Sequence, residues 1–534
     1  MADRNDTDKN SLTTERVETV PSLSPDPNNS PLETNEFAHL TLKQSLIKWR
    51  RVTLYSLCMT SAILMYGYDY VVIGTISAMP SFQRDFGILL NEKWILPSLW
   101  LGLWNFISPG LSTLGAIASG FVGDRFGRRV SLALGSFVCA VGVAICFVSN
   151  RPDDIDTRRG VFLAGKGLQG GAIGMVMATA QTHMSEILPP NLRGPLLAFF
   201  PIFTLLGQVV GAAVIYACLE RESGYVLAFA SQWPFSALPL VMALVVPESP
   251  AYLIRRGREG EAFRAQRRLD GEGVDTEGMI RRLKENIEWE RTQARATYQD
   301  SFRRGNLRRT MIVVFASIVP QLFGLTLLGK ASYFIQIVGM KANLSVIVLI
   351  LGIVCGLLAN AASLPILARF GRRPLLISGL SVAALFWGTM GIAGIWEGPV
   401  VVWYSAAMMI LVIVFCGLGA WPASHIVCAE TSALNLRAKA QGIAWFNVGV
   451  VGALFGFVLP YIFNPDQGDL RAKTGFVFAG LCLAGVVITY FCVPEMKGRT
   501  PAEIDRMFEL GLSAREFSKW KNPIEQVPEK TGAV

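Results

Sequence analysis

Apolar stretches of about 20 residues alternate with short polar segments along most of the chain. A helical run of that length crosses the hydrocarbon core of a bilayer. The pattern therefore predicts an all-α membrane protein with twelve transmembrane helices. We place these helices at 52–79, 98–122, 130–149, 160–182, 195–218, 228–246, 310–338, 344–368, 374–396, 400–429, 438–463 and 474–494. The least regular of them are broken by Pro201, Pro320 and Pro422.

The two halves of the chain share one plan. The segment GDRFGRR at 123–129 recurs as ARFGRR at 368–373. The same interval of 244 positions separates Arg125 from Arg369, Glu186 from Glu430 and Arg193 from Arg437. An apolar chain built from two related halves is typical of a transporter whose binding site lies where the halves meet.

Polar segments divide the chain into five regions. The first 40 residues are rich in Asn, Ser, Thr and Pro, which is the composition of a disordered tail. The regions are an N-terminal cytosolic tail at 1–50, a six-helix bundle at 51–246, a cytosolic linker at 247–309, a second six-helix bundle at 310–494 and a C-terminal cytosolic tail at 495–534. The linker is dense in Arg and Glu with helical spacing, which favours a solvated helical connector over a regulatory docking site.

Basic residues occupy alternate loops. Cytosolic loops close to helix ends carry an excess of Lys and Arg, so these loops and both termini are predicted to face the cytosol. The net charge of +9 is then a signal of topology, and it does not indicate nucleic-acid binding. We expect a monomeric multi-pass protein whose partners are the lipid bilayer, a small-molecule substrate and protons.

The composition argues against an enzyme. Hydrophobic residues make up 51% of the chain, and only three histidines are present. The nine cysteines fall almost entirely within predicted helices and show no metal-binding spacing. We therefore expect no catalytic residues, no cofactor and no metal.

Asp69 lies inside the first apolar run, in the segment MYGYDY at 65–70. A charge at that depth is costly unless it faces a partner or a watery cavity. An aspartate near a cation can change its protonation with solvent access, as a proton-coupled carrier requires. Lys166 in the fourth helix is the obvious cation. The alternative is a static ion pair that holds two helices together.

Lys330 is a second charge at membrane depth, in the seventh helix. It could bind an anionic or carbonyl-bearing substrate, or pair with Asp69 across the bundles. Alternatively, its flexible stem extends to the membrane surface.

Uncharged polar and aromatic side chains at mid-depth provide the donors, acceptors and ring faces that a hydroxylated ligand needs. Each could instead be a hydrogen bond between membrane helices. With Lys330, the predicted substrate-binding residues are Gln208, Gln321, Tyr333, Asn360, Trp421, His425 and Asn447, and Asn105 and Trp445 are further candidates.

Charged residues in the repeated loops could form a network that closes the cytosolic mouth when the bundles rock together. Such pairs are partly hydrated, so each contributes modestly. The alternative is simple positive-inside anchoring. The predicted gate comprises Asp124, Arg125, Arg128, Arg129, Glu186, Arg193, Arg369, Arg372, Arg373, Glu430 and Arg437.

These motifs resemble those of the major facilitator superfamily, sugar porter family. The supporting segments are GDRFGRR at 123–129, SEILPPNLRG at 185–194, PESPAYLIRRGR at 247–258, FGRRP at 370–374, AETSALNLRAK at 429–439 and PEMKGRT at 494–500. The chain is most similar to the fungal maltose and α-glucoside proton symporter branch, through AKTGFVFAG at 472–480, VPEMKGRTPAEID at 493–505 and AREF at 514–517. The resemblance implies twelve helices, alternating access and proton-driven sugar uptake across a fungal plasma membrane.

By the same resemblance, Asp69 matches the proton-coupling aspartate of the family and Lys166 stands in the place of its fourth-helix arginine. The chain departs from the family pattern at Pro201, Gln321, Lys330, Ala368 and His425. We therefore predict a secondary active transporter for proton-coupled symport of a sugar or α-glucoside-like solute. The alternatives are a carrier or exporter of a non-sugar small molecule, such as a sugar acid, polyol or secondary metabolite, and a non-transporting nutrient sensor.

Overall fold

The computed structural model describes residues 42–189, 192, 196, 200–270, 274–293, 297–433 and 436–520. Eleven helices in these ranges are long and apolar enough to cross a membrane. A shorter apolar helix, Ile202–Cys218, lies at the place of the fifth. The prediction of an all-α membrane protein with the twelve-helix, two-bundle architecture is confirmed.

We number these helices as spans 1 to 12 in chain order. The first bundle contains Arg50–Ile76, Ser98–Phe126, Arg128–Val148, Ile155–Ile187, Phe200–Cys218 and Gly224–Val245. The second bundle contains Arg304–Leu328 with Ala331–Val338 as span 7, then Ala342–Arg369, Arg372–Ala393, Pro399–Thr431, Arg437–Phe463 and Thr474–Cys492.

Three spans are interrupted, and the breaks of spans 7 and 10 lie close to Pro320 and Pro422, where the sequence is irregular. Span 6 divides into Gly224–Ala230 and Trp233–Val245, and span 10 into Pro399–Leu418 and Ala420–Thr431. Backbone N–H groups at these two breaks still donate to carbonyls of the preceding turn, as Gln232 does to Phe229 and Gly419 to Cys416.

Span 7 has two breaks. Its pieces are Arg304–Leu322, Leu325–Leu328 and Ala331–Val338. Gly324 has φ +91°, a left-handed conformation that favours glycine and ends the first piece. The last piece begins directly after Lys330, at membrane depth.

Short elements connect the spans. A hairpin of Ile88–Leu90 and Lys93–Ile95 lies between spans 1 and 2, and its turn holds Asn91 and Glu92 at positive φ. The remaining helices are Leu42–Lys48, Pro80–Phe86, Pro250–Arg255, Glu259–Leu269, Thr276–Gln293, Tyr298–Ser301 and Pro501–Glu509, with a 3-10 turn at Arg471–Lys473.

Glycines let the helices of the first bundle approach closely. A Cβ atom added at Gly115 of span 2 would lie 1.9 Å from the Gly171 carbonyl oxygen of span 4, and one at Gly174 would lie 1.9 Å from the Ser112 carbonyl oxygen. Small residues allow such backbone contact, which replaces the hydrophobic driving force that lipid does not supply. Span 4 is thereby held against span 2 along several turns.

Gly115→Ala should lower the melting temperature of the detergent-solubilised protein, because the added methyl group must push two backbones apart, at about 1–3 kcal/mol. Gly480→Ala is the matched control, since an added Cβ at Gly480 has no atom within 4 Å. Fluorescence-monitored thermal unfolding of both variants measures the difference. Equal melting temperatures would contradict the tight contact between spans 2 and 4.

Candidate functional site: a buried ion pair and a cavity between the bundles

Asp69 of span 1 and Lys166 of span 4 form a buried ion pair. Lys166 Nζ donates to Asp69 Oδ1, and the two side chains are 0% and 7% exposed for Lys166 and Asp69 respectively. Both charges are therefore shielded from water. Each is stabilised by the other charge and by nearby hydrogen bonds.

Polar side chains extend this pair into a network across four spans. Lys166 Nζ also donates to Gln169 Oε1 at 3.0 Å, and Gln169 Nε2 donates to Gln232 Oε1 at the break of span 6. Ser108 Oγ of span 2 donates to Asp69 Oδ2 at 3.4 Å. The charges are thus surrounded by dipoles that lower the cost of burial.

Ser108, Gln169 and Gln232 are not among the residues predicted from the sequence. Gln169 carries a usable signal, because it lies three residues after Lys166 and so on the same helical face. Ser108 and Gln232 have no such signal, since their roles depend on how spans 2 and 6 pack against span 4.

A narrow cavity lies between the two bundles, and in this arrangement it has space for about one water molecule. Spans 1 and 2 form one wall, and spans 7 and 11 form the other. The lining residues are Gly74, Ser77, Leu101, Asn105, Thr326, Leu327, Lys330, Tyr333, Gly456, Leu459, Pro460 and Phe463. Asp69 is not among them, but Ser108 connects it to the helix that presents Asn105.

Lys330 lines this cavity and is half-buried. An added Cβ at Gly74 would lie 2.8 Å from its Cγ, so the lysine stem packs against span 1. Within the described ranges, its ammonium has no hydrogen bond or ion pair. The cross-bundle pair with Asp69, raised as one possibility for this lysine, is not formed in this structure, where Lys166 pairs with Asp69.

One end of the cavity is closed by hydrogen bonds between the bundles. Tyr333 Oη accepts from the Leu96 backbone N–H at 3.1 Å and donates to Asn464 Oδ1 at 3.1 Å. Asn464 Nδ2 donates to the Leu96 carbonyl at 2.7 Å. Asp466 accepts from the Ser98 backbone N–H at 2.7 Å and from the Ser98 hydroxyl. These groups, which we call the seal, join the start of span 2 to the end of span 11.

Of the eight predicted substrate-binding residues, the structure places Lys330 and Tyr333 in the lining of the cavity, together with the further candidate Asn105. Gln321 is buried near the cavity and accepts a hydrogen bond from Thr326, one of the lining residues. Trp421 Nε1 donates to His425 Nε2 at 3.2 Å on span 10.

The other predicted contacts lie elsewhere. Asn447 donates to Ser317 Oγ at 2.7 Å and so ties span 11 to span 7. Asn360 donates to Gly356 O of its own helix at 2.9 Å. Gln208 is half-buried on span 5, and Trp445 is exposed. Substrate contact by these residues stays a prediction.

The opposite ends of the bundles carry the repeated charged loops, and we call this side the basic face. Arg128 binds both carboxylate oxygens of Glu186, at 3.0 and 2.9 Å. In the second bundle, Arg372 binds Glu430 in the same way, at 3.2 and 2.8 Å. The 244-residue repeat in sequence is therefore also a repeat in geometry.

Two acidic residues outside the predicted gate complete this arrangement. Glu248 accepts from the backbone N–H groups of Arg128 and Arg129, and Glu495 accepts from those of Arg372 and Arg373. Each carboxylate thus caps the positive end of a helix. The segments PESP and PEMK that contain them were visible signals for this role.

The remaining predicted gate residues differ between the bundles. Asp124 binds Arg128 at 3.1 Å, whereas Ala368 at the equivalent position has no carboxylate. Arg129 and Arg373 donate to backbone carbonyls at the ends of spans 6 and 12. The side chains of Arg125, Arg369 and Arg437 are exposed, and Arg193 lies outside the described residues.

Ion pairs of the gate lie within one bundle or the other among the residues that the structure describes. Closure of this face by pairs that cross between bundles stays a prediction.

Comparison with known proteins places the chain in a family. The family model described as sugar (and other) transporter matches residues 55–508. The chain belongs to the sugar transporter family of the major facilitator superfamily. The resemblance read from the sequence motifs is thereby confirmed, and the protein is a membrane transporter.

Curated relatives agree with this assignment. The MFS transporter fmqE of Aspergillus fumigatus is 31% identical over 466 residues, 85% of each chain. The alpha-glucosides permease MPH2 of Saccharomyces cerevisiae is 29% identical over 518 residues, 93% of this chain and 83% of the relative.

A solved structure agrees with the fold. The inward open conformation of the xylose transporter XylE from E. coli superposes with a TM-score of 0.67, at 19% identity, covering 85% of this chain and 99% of the other.

Lys166→Met should destabilise this transporter by about 3–5 kcal/mol, because it leaves the Asp69 carboxylate buried without its cation. The double variant Asp69→Asn with Lys166→Met should lose less than the sum of the two single variants, since it removes both charges. Thermal unfolding of the three variants in detergent measures the coupling. Lys341→Met, at an exposed lysine, is the control. Additive losses would show that the two groups do not form an energetic pair.

Proposed function

We propose that this transporter is a proton-coupled symporter that moves a hydroxylated, sugar-like solute by alternating access. The observation that carries the proposal is the buried Asp69–Lys166 pair in the first bundle. Span 1, which carries Asp69, also lines the cavity. Proton coupling requires a group whose charge changes during the cycle and a path from that change to the substrate site.

Protonation of Asp69 supplies the change of charge. A neutral carboxyl group attracts Lys166 less strongly than a carboxylate does, so spans 1 and 4 are held together less tightly. Lys166 then relies on Gln169 for its remaining hydrogen bond. The pair therefore acts as a contact whose strength depends on proton binding.

Two helices carry this change to the cavity. Span 1 holds Asp69 and Gly74, and Ser77 follows its last residue; Gly74 and Ser77 both line the cavity. Span 2 holds Ser108, which bonds to Asp69, and Asn105 one helical turn away in the lining. Movement of either helix alters the substrate site, so proton binding and solute binding favour the same state.

The seal fits one end state of this cycle. With the seal formed, solute cannot pass between span 2 and span 11 at that side. We assign the basic face, and with it both termini, to the cytosol because of its Arg-rich loops, which makes the seal extracellular. The permease relatives favour the plasma membrane, and we propose a monomer as the working unit.

The solute class rests on the relatives and on the cavity. The name of the yeast relative, MPH2, specifies α-glucosides. Asn105, Thr326 and Tyr333 give the cavity amide and hydroxyl groups beside apolar walls. That mixture suits a ligand with several hydroxyl groups.

Uptake of a labelled panel of sugars and sugar derivatives into transporter-deficient yeast, at external pH 5 and pH 7, tests the coupling. Accumulation should be higher at the more acidic pH, because the inward proton gradient is larger. Asp69→Asn should abolish concentration of the solute while leaving exchange of internal for external solute, since exchange requires no net proton movement. Retention of full, pH-dependent accumulation by Asp69→Asn would refute coupling at this site.

Asp466→Ala should weaken the seal and increase the time spent open to the outside, because the start of span 2 loses two hydrogen bonds to the segment that follows span 11. A cysteine introduced at Ser77, in the cavity lining, should then react faster with an impermeant maleimide added to intact cells. Asp469→Ala, at a nearby exposed aspartate, is the matched control. Unchanged labelling in Asp466→Ala would exclude the seal as an extracellular gate.

A further inference from the structure

The lining of the cavity is biased toward positive charge. Lys330 is a cation without a hydrogen bond or ion pair among the described residues, whereas the other lysine at membrane depth, Lys166, is paired. None of the twelve lining residues carries a carboxylate. A charged lysine at this depth is costly unless it meets a counter-charge, which a ligand can supply.

The backbone adds to this bias. Helix Ala331–Val338 begins directly after Lys330, which is its N-cap residue. The first N–H groups of a helix lack partners within the helix, and its N-terminus carries a partial positive charge. The break in span 7 therefore places a helix N-terminus directly beside the lysine that lines the cavity. Broken helices of transporters use such N-termini for anionic groups.

A second, uncharged feature faces the same cavity. Asn105 of span 2 is 4% exposed, and its side-chain oxygen is buried without a hydrogen-bond partner. An unsatisfied buried acceptor costs free energy that a ligand hydroxyl can recover. The wall contributed by the first bundle thus offers an acceptor, opposite the cation of the second bundle.

We propose that the transported solute is a hydroxylated carboxylic acid, such as a sugar acid, whose carboxylate binds Lys330 and the N-terminus of helix Ala331–Val338 while a hydroxyl group donates to Asn105. This inference rests on the proposed transport function and specifies its substrate. A neutral sugar would leave Lys330 unpaired in the loaded state. A carboxylate can pair with Lys330 in any conformation of the transporter in which span 7 lines the cavity.

Matched solutes isolate the contribution of the carboxylate. D-glucuronate differs from D-glucose, and D-galacturonate from D-galactose, only by a carboxylate in place of a hydroxymethyl group. Apparent affinities come from the rise in melting temperature of the purified, detergent-solubilised protein with increasing solute. The acid of at least one pair should bind about tenfold or more tightly than its neutral partner, the range expected for a charge-assisted hydrogen bond.

Variants of Lys330 test whether this lysine causes the preference for the acid. Lys330→Met should reduce the affinity for the acid to that for the neutral sugar, and Lys330→Arg should keep the acid preferred. Lys341→Met, an exposed lysine at the start of span 8, should leave both affinities unchanged. The Arg variant and the wild-type comparison decide the matter if the Met variant does not fold.

The inference is overturned if the acid and neutral members of both pairs bind the wild-type protein equally, including no binding of either, or if Lys330→Met retains the preference. Neither result depends on a proton gradient. Failure of the proposed function appears separately, as accumulation in cells that does not respond to external pH or to Asp69→Asn.

Discussion

A charge in a hydrocarbon layer is tolerated only when a partner, a dipole or water surrounds it, and this constraint organises the interior of the transporter. Asp69 and Lys166 satisfy each other, and Ser108 and Gln169 satisfy part of what remains. Because the four residues come from spans 1, 2 and 4, their contacts also determine how these helices pack. The same groups that permit burial of the pair would therefore respond to a proton.

The two bundles are alike at the basic face and different within the membrane. At the basic face, the bidentate pair of Arg128 with Glu186 has its counterpart in Arg372 with Glu430, and both arginines begin a helix capped by a glutamate. Inside the membrane, spans 7 and 10 contain no aspartate, and the buried ion pair belongs to the first bundle alone within the described chain. The repeated elements suit a common rocking motion. In the proposed mechanism, the unrepeated ones have separate tasks, with the proton in the first bundle and the cationic site in the second.

The usefulness of sequence reasoning differed with the kind of residue. Charges stand out in apolar runs, so Asp69, Lys166 and Lys330 are recognisable from the sequence alone. Uncharged polar residues were ambiguous, because an amide can bond within its own helix, as Asn360 does to Gly356, or to a neighbour, as Asn447 does to Ser317. The sequence does not indicate which of these partners such a side chain has.

Composition and periodicity determined the number of spans, the twofold plan and the depth of each charge, since these depend on local apolar length and on intervals along the chain. Packing decided the rest: the pairing of Lys166 with Asp69 rather than with solvent, the exposure of Lys330 to the cavity, and the use of Tyr333 in the seal. These outcomes required tertiary structure because each joins groups from helices far apart in sequence. Their approach depends on breaks such as that at Gly324 and on glycine contacts such as Gly74 with Lys330, which no single segment specifies.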